Sequence, residues 1–291
     1  MEPSTPVLPT QVTPPELALS DASPHAIVGV EVVAVPVLPG DDDTGPALGP
    51  GAEQLSEQLG VDLLALVEAE KATGKVGEVV RLPVPLGGPE NADLRWVFLV
   101  GVGDGSTDAL RRAGATLARA TLGRASVATS IASLSDDAGL EAFVVGAVLG
   151  SFSFSWRSTE RPETAPVARM VLTGCAEDRR PALERGLALG GAGWRARMLA
   201  TVPSNLKNPP WLAEQARLVA EEAGLAYRVW DEQQLAAEGL GGIIGVGQGS
   251  ATPPRLVRLD YTPRKANRRT PTVVLVGKGI TFDTGGLSIK P

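Results

Sequence analysis

Two lysines and an aspartate near the end of the sequence have types and spacing that catalysis or metal binding could use. They are Lys278, Asp283 and Lys290, and glycines lie between them. Only six of the 27 basic residues are lysine, so arginine is the usual cation of this chain. Lysine can lose its proton when it is desolvated or lies beside a cation, whereas arginine cannot. This choice of residues favours a role in catalysis or metal binding. The alternative is that the two lysines are solvated loop residues and the aspartate is a turn residue.

The run Thr272-Val273-Val274-Leu275-Val276 comes shortly before these residues. An apolar, β-branched run of this kind predicts a strand that is buried on both faces. A charged residue just beyond such a strand is typically displayed into the crevice where α/β proteins bind ligands. We therefore expect Lys278, Asp283 and Lys290 to share one pocket, with glycines letting the backbone turn or come close to a bound group.

This segment resembles the first active-site segment of the leucyl (cytosol) aminopeptidase family. The resemblance rests on Val276-Gly277-Lys278-Gly279, Phe282-Asp283-Thr284-Gly285-Gly286 and Ser288-Ile289-Lys290-Pro291. Upstream, it extends to Asn208-Pro209-Pro210, a helix over 212–223, and residues 240–254 with Gly245-Val246-Gly247-Gln248-Gly249-Ser250. The match covers roughly residues 195–291, and the N-terminal half fits the family in outline.

The resemblance implies a two-metal aminopeptidase that uses Mn²⁺ or Zn²⁺ and releases N-terminal residues, preferably leucine-like, from peptides. In the family, the position matching Lys278 gives a neutral amine to one metal ion, and the position matching Asp283 bridges both ions. The position matching Lys290 polarises the substrate carbonyl and stabilises the oxyanion. The chemistry is plausible, because a nearby dication can deprotonate an amine and a shared carboxylate is common in two-metal sites. A homohexamer formed through the catalytic domains is also implied.

The sequence departs from the family in one respect. The family's Asn-Thr-Asp-Ala-Glu-Gly-Arg segment, with further carboxylate ligands and the arginine associated with bicarbonate, is not found here, nor is an intervening aspartate ligand. One lysine and one aspartate would leave two dications under-coordinated. We therefore expect this chain to be the N-terminal portion of an aminopeptidase and to be inactive by itself. We also expect exposed apolar surface near the strand over 272–276. The alternative is a non-catalytic α/β binding or scaffold protein derived from the family.

Composition excludes several other kinds of protein. The net charge of −6 argues against a nucleic-acid surface as the main function, since phosphate binding requires a basic footprint. Basic clusters at 111–112 and 264–269 are interpreted as solvated surface charge. The sequence contains no eighteen-residue apolar stretch and no signal-peptide pattern at its start, so we expect no membrane span and a cytoplasmic location.

The cysteine and histidine counts exclude most other metal and nucleophile chemistry. Cys175 is the only cysteine, so an intrachain disulfide cannot form. His25 is the only histidine, which rules out zinc sites built from several histidines or cysteines. Any metal ion would have to be held mainly by oxygen, with lysine nitrogen as the unusual addition.

The order of the elements predicts the fold class: an N-terminal α/β domain with a mixed sheet, followed by an incomplete α/β/α catalytic domain. We expect a disordered tail over 1–24, the first domain over 25–175, a linker helix over 176–202 and a partial peptidase domain over 203–291. Predicted strands of the first domain span 27–35, 77–86, 95–102, 125–131 and 166–173. Predicted helices span 55–69, 108–122 and 138–151, and the alternating stretch 151–156 fits a strand or a helix end.

In the second half, the pattern predicts a helix over 179–200, broken or kinked near Gly190-Gly191, and helices over 211–224 and 231–238. Strands are predicted over 227–230, 243–246, 256–261 and 273–276.

Three motifs leave alternatives open. Gly101-Val102-Gly103-Asp104-Gly105 could be a nucleotide loop, but a strand-to-helix turn is favoured because the third glycine of the dinucleotide motif is misplaced. Asp41-Asp42-Asp43 could bind a cation, but an exposed acidic loop is favoured. The glycines over 241–249 could cradle a phosphate, but turns between strands are favoured.

Overall fold

A computed structural model describes residues 8–40, 44–157 and 162–290. The aspartates at 41–43 and the first seven residues of the predicted tail lie outside this part of the chain. Two compact units are present, one over Pro9–Met198 and the other including residues 199–290. In the described part of the chain, no helix combines the length and hydropathy needed to span a bilayer.

The first unit is built around a mixed sheet. Its strands are β1 (Glu16–Leu19), β2 (Val32–Leu38), β3 (Ala47–Leu48), β4 (Val79–Pro83), β5 (Trp96–Gly101), β6 (Ser126–Thr129) and β7 (Arg169–Leu172). They run in the order β1-β7-β6-β2-β5-β4, with β3 paired to β2. The five strands from β1 to β5 along this order pair in parallel, whereas β3 and β4 are antiparallel to their neighbours. The predicted mixed α/β fold is confirmed.

The central strand β2 is held on both sides. It pairs with β5 from Val32↔Trp96 to Val37↔Gly101, and with β6 from Val32↔Val127 to Ala34↔Thr129. Side chains alternate along the strand, so Val32 and Ala34 enter one core while Val33, Val35 and Val37 enter the other. This double burial explains why the strand is apolar on both faces.

Helices cover both faces of the sheet. They are α1 (Ala52–Leu59), α2 (Leu63–Ala69), α3 (Thr107–Ala120), α4 (Asp137–Gly150) and α5 (Arg180–Thr201). Helices α1 and α2 contribute to one core, and α3, α4 and α5 contribute to the other. Ser106 caps α3 and Asp136 caps α4, because each side chain accepts a hydrogen bond from a backbone N–H three residues on.

Three local predictions for this unit are wrong. Strand β1 lies within the predicted tail, where Leu17 and Leu19 pack against the core. The single helix over 55–69 is two helices, since Gly60 ends α1 in the left-handed conformation and Asp62 caps α2. The expected break at Gly190-Gly191 is absent, since helix α5 is continuous there; tertiary packing overrides the low helix propensity of glycine. A Cβ atom on Gly190 would lie 2.9 Å from Val148 Cβ, so the missing side chain permits close contact with α4.

The turn over 101–105 is the predicted strand-to-helix connection, running from the end of β5 to α3. A Cβ atom on Gly101 would lie 2.0 Å from the Lys75 carbonyl oxygen, so this glycine allows two backbone segments to approach. Asp104 Oδ1 accepts hydrogen bonds from the Ser106 hydroxyl and N–H. These bonds lower the pKa of the Asp104 carboxyl, and a negative charge at this position disfavours a bound phosphate.

The second unit contains α6 (Pro209–Ala223), β8 (Ala226–Trp230), α7 (Glu232–Ala237), α8 (Gly241–Gly247) and β9 (Leu256–Asp260). Strands β8 and β9 form a two-stranded antiparallel sheet. Asn208 caps α6, and Asp231 forms a capping box with Gln234 at α7. The strand predicted over 243–246 is wrong, because these residues belong to α8, where the Ile243 and Ile244 N–H groups donate to the Leu240 carbonyl.

The close packing of helix α3 against helix α4 can be tested by substitution. A Cβ atom on Gly146 would lie 1.8 Å from the Arg111 carbonyl oxygen, whereas a Cβ atom on Gly191 in α5 meets nothing within 4 Å. We expect Gly146→Ala to lower the free energy of unfolding by about 1–3 kcal/mol because the helices must separate. Gly191→Ala, as the matched control, should raise it by about 0.5–1 kcal/mol through helix propensity. Urea unfolding followed by circular dichroism measures both; equal effects would contradict the close packing.

Candidate functional site

The segment that contains Lys278, Asp283 and Lys290 has neither helix nor strand over residues 261–290. The strand predicted over 272–276 is therefore wrong: Leu275 is 92% exposed and Val276 is 93% exposed. A strand requires backbone partners on a neighbouring strand, and β8 and β9 pair only with each other among the described residues. The apolar surface that we expected near this run is confirmed, since Val273, Val274 and Phe282 are also exposed.

Asp283 and Lys290 are brought into direct contact. Lys290 Nζ donates to Asp283 Oδ2 across 2.6 Å, while the Gly285 N–H donates to Asp283 Oδ1 across 2.9 Å. The Lys290 side chain is 59% exposed and that of Asp283 is 55% exposed. The two oxygens of the carboxylate therefore have different partners, one cationic and one from the backbone.

These contacts change the acidity of the aspartate. The hydrogen bond from Lys290 lowers the pKa of Asp283, and the bond from the Gly285 N–H adds to this effect. The positive charge of Lys278 lowers the same pKa to a smaller extent. Lys278 is thus near enough to act on Asp283 through its charge.

The described residues of this segment offer few of the donors that a metal site needs. The chain offers one carboxylate and two amines here, and the described part of the chain contains no group of three or more His, Cys, Asp or Glu side chains that could hold a metal ion. Two adjacent dications need more anionic oxygen than one aspartate provides. Lys278 and Asp283 fit as contributors to a metal centre and do not complete one.

Sequence reasoning overlooked the turn that follows Asp283. The Lys290 N–H donates to the Thr284 carbonyl oxygen across 2.8 Å, and Gly285 and Gly286 both have positive φ. The signal was present, because Asp followed two residues later by Gly is typical of an Asx turn, in which the carboxylate accepts a backbone N–H.

Two family models match this chain. The model described as "Cytosol aminopeptidase family, N-terminal domain" matches residues 27–158, and the model described as "Cytosol aminopeptidase family, catalytic domain" matches residues 194–291. The second match includes all three candidate site residues. The first covers five of the seven strands of the mixed sheet, all but β1 and β7 at one edge.

Curated relatives support the same assignment. A "Probable cytosol aminopeptidase" of Mycobacterium marinum is 37% identical over 292 residues, and one of Mycobacterium bovis is 38% identical over 296 residues. Each alignment covers 95% of this chain and 55% of the relative. The chain therefore spans about half the length of the curated relatives it matches.

Solved structures show a similar fold. The bottromycin maturation enzyme BotP in complex with Mn is 31% identical, with a TM-score of 0.70 over 90% of this chain and 51% of that chain. A mutant of tomato leucine aminopeptidase, 21% identical, has a TM-score of 0.76 over 96% of this chain and 56% of that chain. At this lower identity the likeness concerns the fold alone.

The contact between Lys290 and Asp283 can be tested by titration. We expect Lys290→Met to raise the pKa of Asp283 towards its ordinary value, because the main hydrogen bond to the ionised form is lost. Lys278→Met should raise it less. Since the pKa is lowered in the folded chain, the ion pair is present above the ordinary carboxyl pKa and is lost as the pH falls through the lowered value. Carboxyl ¹³C NMR measures the shift; a larger effect of Lys278→Met would contradict the observed geometry.

Proposed function

Because this chain belongs to the cytosol aminopeptidase family, we propose that it forms the N-terminal domain and part of the catalytic domain of a metal-dependent aminopeptidase. The complete enzyme would release N-terminal residues, leucine-like ones preferred, from peptides. The observation that carries this proposal is the contact of Lys290 with Asp283, close to Lys278, within the segment that matches the catalytic domain.

The residues take distinct roles in this proposal. Lys278 and Asp283 would hold part of a centre of two divalent ions, Mn²⁺ or Zn²⁺, and a structural neighbour is described as being in complex with Mn. The bound ions would supply Lewis-acid polarisation of the scissile carbonyl. The remaining ligands, and the arginine for the bicarbonate that the resemblance implies, would come from residues outside this sequence, since the relatives are nearly twice as long.

Lys290 would act on the substrate. Its ammonium group lies at the surface and is accessible to a peptide. A fixed cation directed at the scissile carbonyl oxygen stabilises the negative charge that develops there during attack. Asp283 supports this role, since its carboxylate accepts a 2.6 Å hydrogen bond from the ammonium group of Lys290. The proposal places this enzyme in the cytoplasm as a homohexamer, as the family resemblance implies.

A second candidate is a non-catalytic binding or scaffold protein with the same fold. It is favoured by the single carboxylate and by the lack of a complete acidic cluster in the described part of the chain. The DNA sequence after codon 291 discriminates between the enzyme and the scaffold protein. Continuation into an Asn-Thr-Asp-Ala-Glu-Gly-Arg segment favours the enzyme, and a stop codon favours the scaffold.

Substitutions in the protein extended to the length of its relatives test the proposed roles. We expect Lys290→Met to lower kcat by about 100- to 1000-fold, as loss of an oxyanion donor does. Asp283→Asn should lower activity and raise the Mn²⁺ concentration needed for half-maximal activity. The matched control is Asp260→Asn, which removes an exposed carboxylate paired with Arg258 in β9. Hydrolysis of a leucyl anilide provides the measurement, and equal effects of Asp283→Asn and Asp260→Asn would refute the metal role.

The 291-residue chain itself should be inactive. Without a complete donor set, it cannot hold two adjacent dications, so we expect no leucyl anilide hydrolysis above background when Mn²⁺ or Zn²⁺ is added. The extended protein, assayed in parallel, is the positive control. Comparable turnover by the two proteins would show that the residues described here are sufficient.

A further inference from the structure

We propose that Gly285 is a positioning residue, which sets the contact between Lys290 and Asp283 by allowing the backbone between them to fold back on itself. This inference rests on the proposed function for its catalytic meaning. The geometry behind it is local and can be tested without activity. The segment concerned, residues 283–290, is called the clip loop below.

The clip loop is closed by backbone hydrogen bonds. The Lys290 N–H donates to the Thr284 carbonyl oxygen across 2.8 Å, and the Ser288 N–H donates to the Gly285 carbonyl oxygen across 3.2 Å. The Gly285 N–H donates to Asp283 Oδ1 across 2.9 Å. These bonds bring the backbone of Lys290 beside Thr284, and from there the ammonium group reaches Asp283.

Gly285 lies where the two sides of the clip loop meet. Its φ is +88°, which favours glycine. A Cβ atom at this position would lie 2.0 Å from the Ser288 carbonyl oxygen and 3.1 Å from the Lys290 backbone nitrogen. Both are backbone atoms of the closing side, so a side chain on residue 285 would force the loop open.

Gly286 provides a contrast within the same loop. Its φ is +62°, yet a Cβ atom there would meet nothing within 4 Å. The two glycines therefore share a left-handed backbone and differ in their surroundings. Asparagine tolerates the left-handed region better than other side chains do, so replacing each glycine by asparagine separates the close contact from the conformational preference.

Little else in the described part of the chain holds the two charged groups together. More than half of each side chain is exposed, so tertiary packing does not fix their separation. An exposed ion pair contributes little by itself, because solvent screens it and two long side chains must be ordered. The turn at Gly285 is thus the main restraint on the spacing of the proposed metal ligand and the proposed carbonyl-polarising amine.

A zero-length crosslink in the 291-residue chain measures this spacing. A carbodiimide activates the Asp283 carboxylate, and attack by the Lys290 amine forms an amide bond while the carbodiimide takes up the water and leaves as a urea. The tryptic peptide over 279–291 contains one aspartate and one lysine, and mass spectrometry detects the loss of one water from it. Fragment ions distinguish this product from one formed by the terminal carboxylate, and the urea-unfolded chain gives the baseline yield.

We expect Gly285→Asn to lower the crosslink yield by about tenfold, towards the unfolded baseline, while Gly286→Asn stays within about twofold of the original chain. The thermal unfolding midpoint should not change in either variant, because the clip loop is exposed. An unchanged yield in Gly285→Asn, an equal fall in both variants, or a lower unfolding midpoint confined to Gly285→Asn would each overturn the positioning role. The assay uses neither metal nor substrate. If the extended protein were inactive, the proposed function would be refuted, but the crosslinking result for Gly285 would still hold.

Discussion

Pairing of backbone groups is the constraint on which both units of this molecule depend. In the first unit, β2 finds a parallel partner on each side, so its valines are buried and the sheet forms a continuous core. In the second unit, the equally apolar run over 272–276 has no ladder partner among the described residues and its side chains lie in solvent. Similar residue patterns thus form a buried strand in one unit and an exposed segment in the other, because a strand is stable only where its N–H and C=O groups are hydrogen-bonded.

The candidate site shows how local chemistry can persist without that support. Asp283 and Lys290 are held by hydrogen bonds within eight residues of chain, namely those to Asp283 itself, to Thr284 and to Gly285. Such a turn needs no core, since its bonds are short-range in sequence and its glycines supply the left-handed conformations. The turn does not, however, shield the two charged groups from solvent. An exposed carboxylate and an exposed amine interact in high dielectric, where charge stabilisation is weak compared with that in a water-excluded active site.

Much of the first unit could be predicted from its sequence, because hydrophobic periodicity reports burial directly. The strand at Trp96–Gly101 and the helices at Thr107–Ala120 and Asp137–Gly150 were expected within a few residues of their observed bounds. The errors arose where tertiary contacts overrode local preference. Leu17 and Leu19 lie in a strand that pairs in parallel with β7 and packs against the core. Gly190 has low helix propensity, but its lack of a side chain allows close contact with Val148. Residues 243–246 have strand-forming side chains but no strand beside them in the described part of the chain, so they satisfy their N–H groups within a helix.

The sequence by itself determined which chemistry is available: lysine and aspartate at 278, 283 and 290, one cysteine, one histidine, and a pattern that belongs to the cytosol aminopeptidase family. These conclusions depend on residue type and order, which need no coordinates. Only the tertiary structure decided that Lys290 contacts Asp283 directly while Lys278 acts from farther away, and that the preceding apolar run is exposed. The physical reason is that distance and burial depend on which backbone segments find partners, and those partners are remote in sequence or supplied by a turn whose geometry residue type alone does not specify.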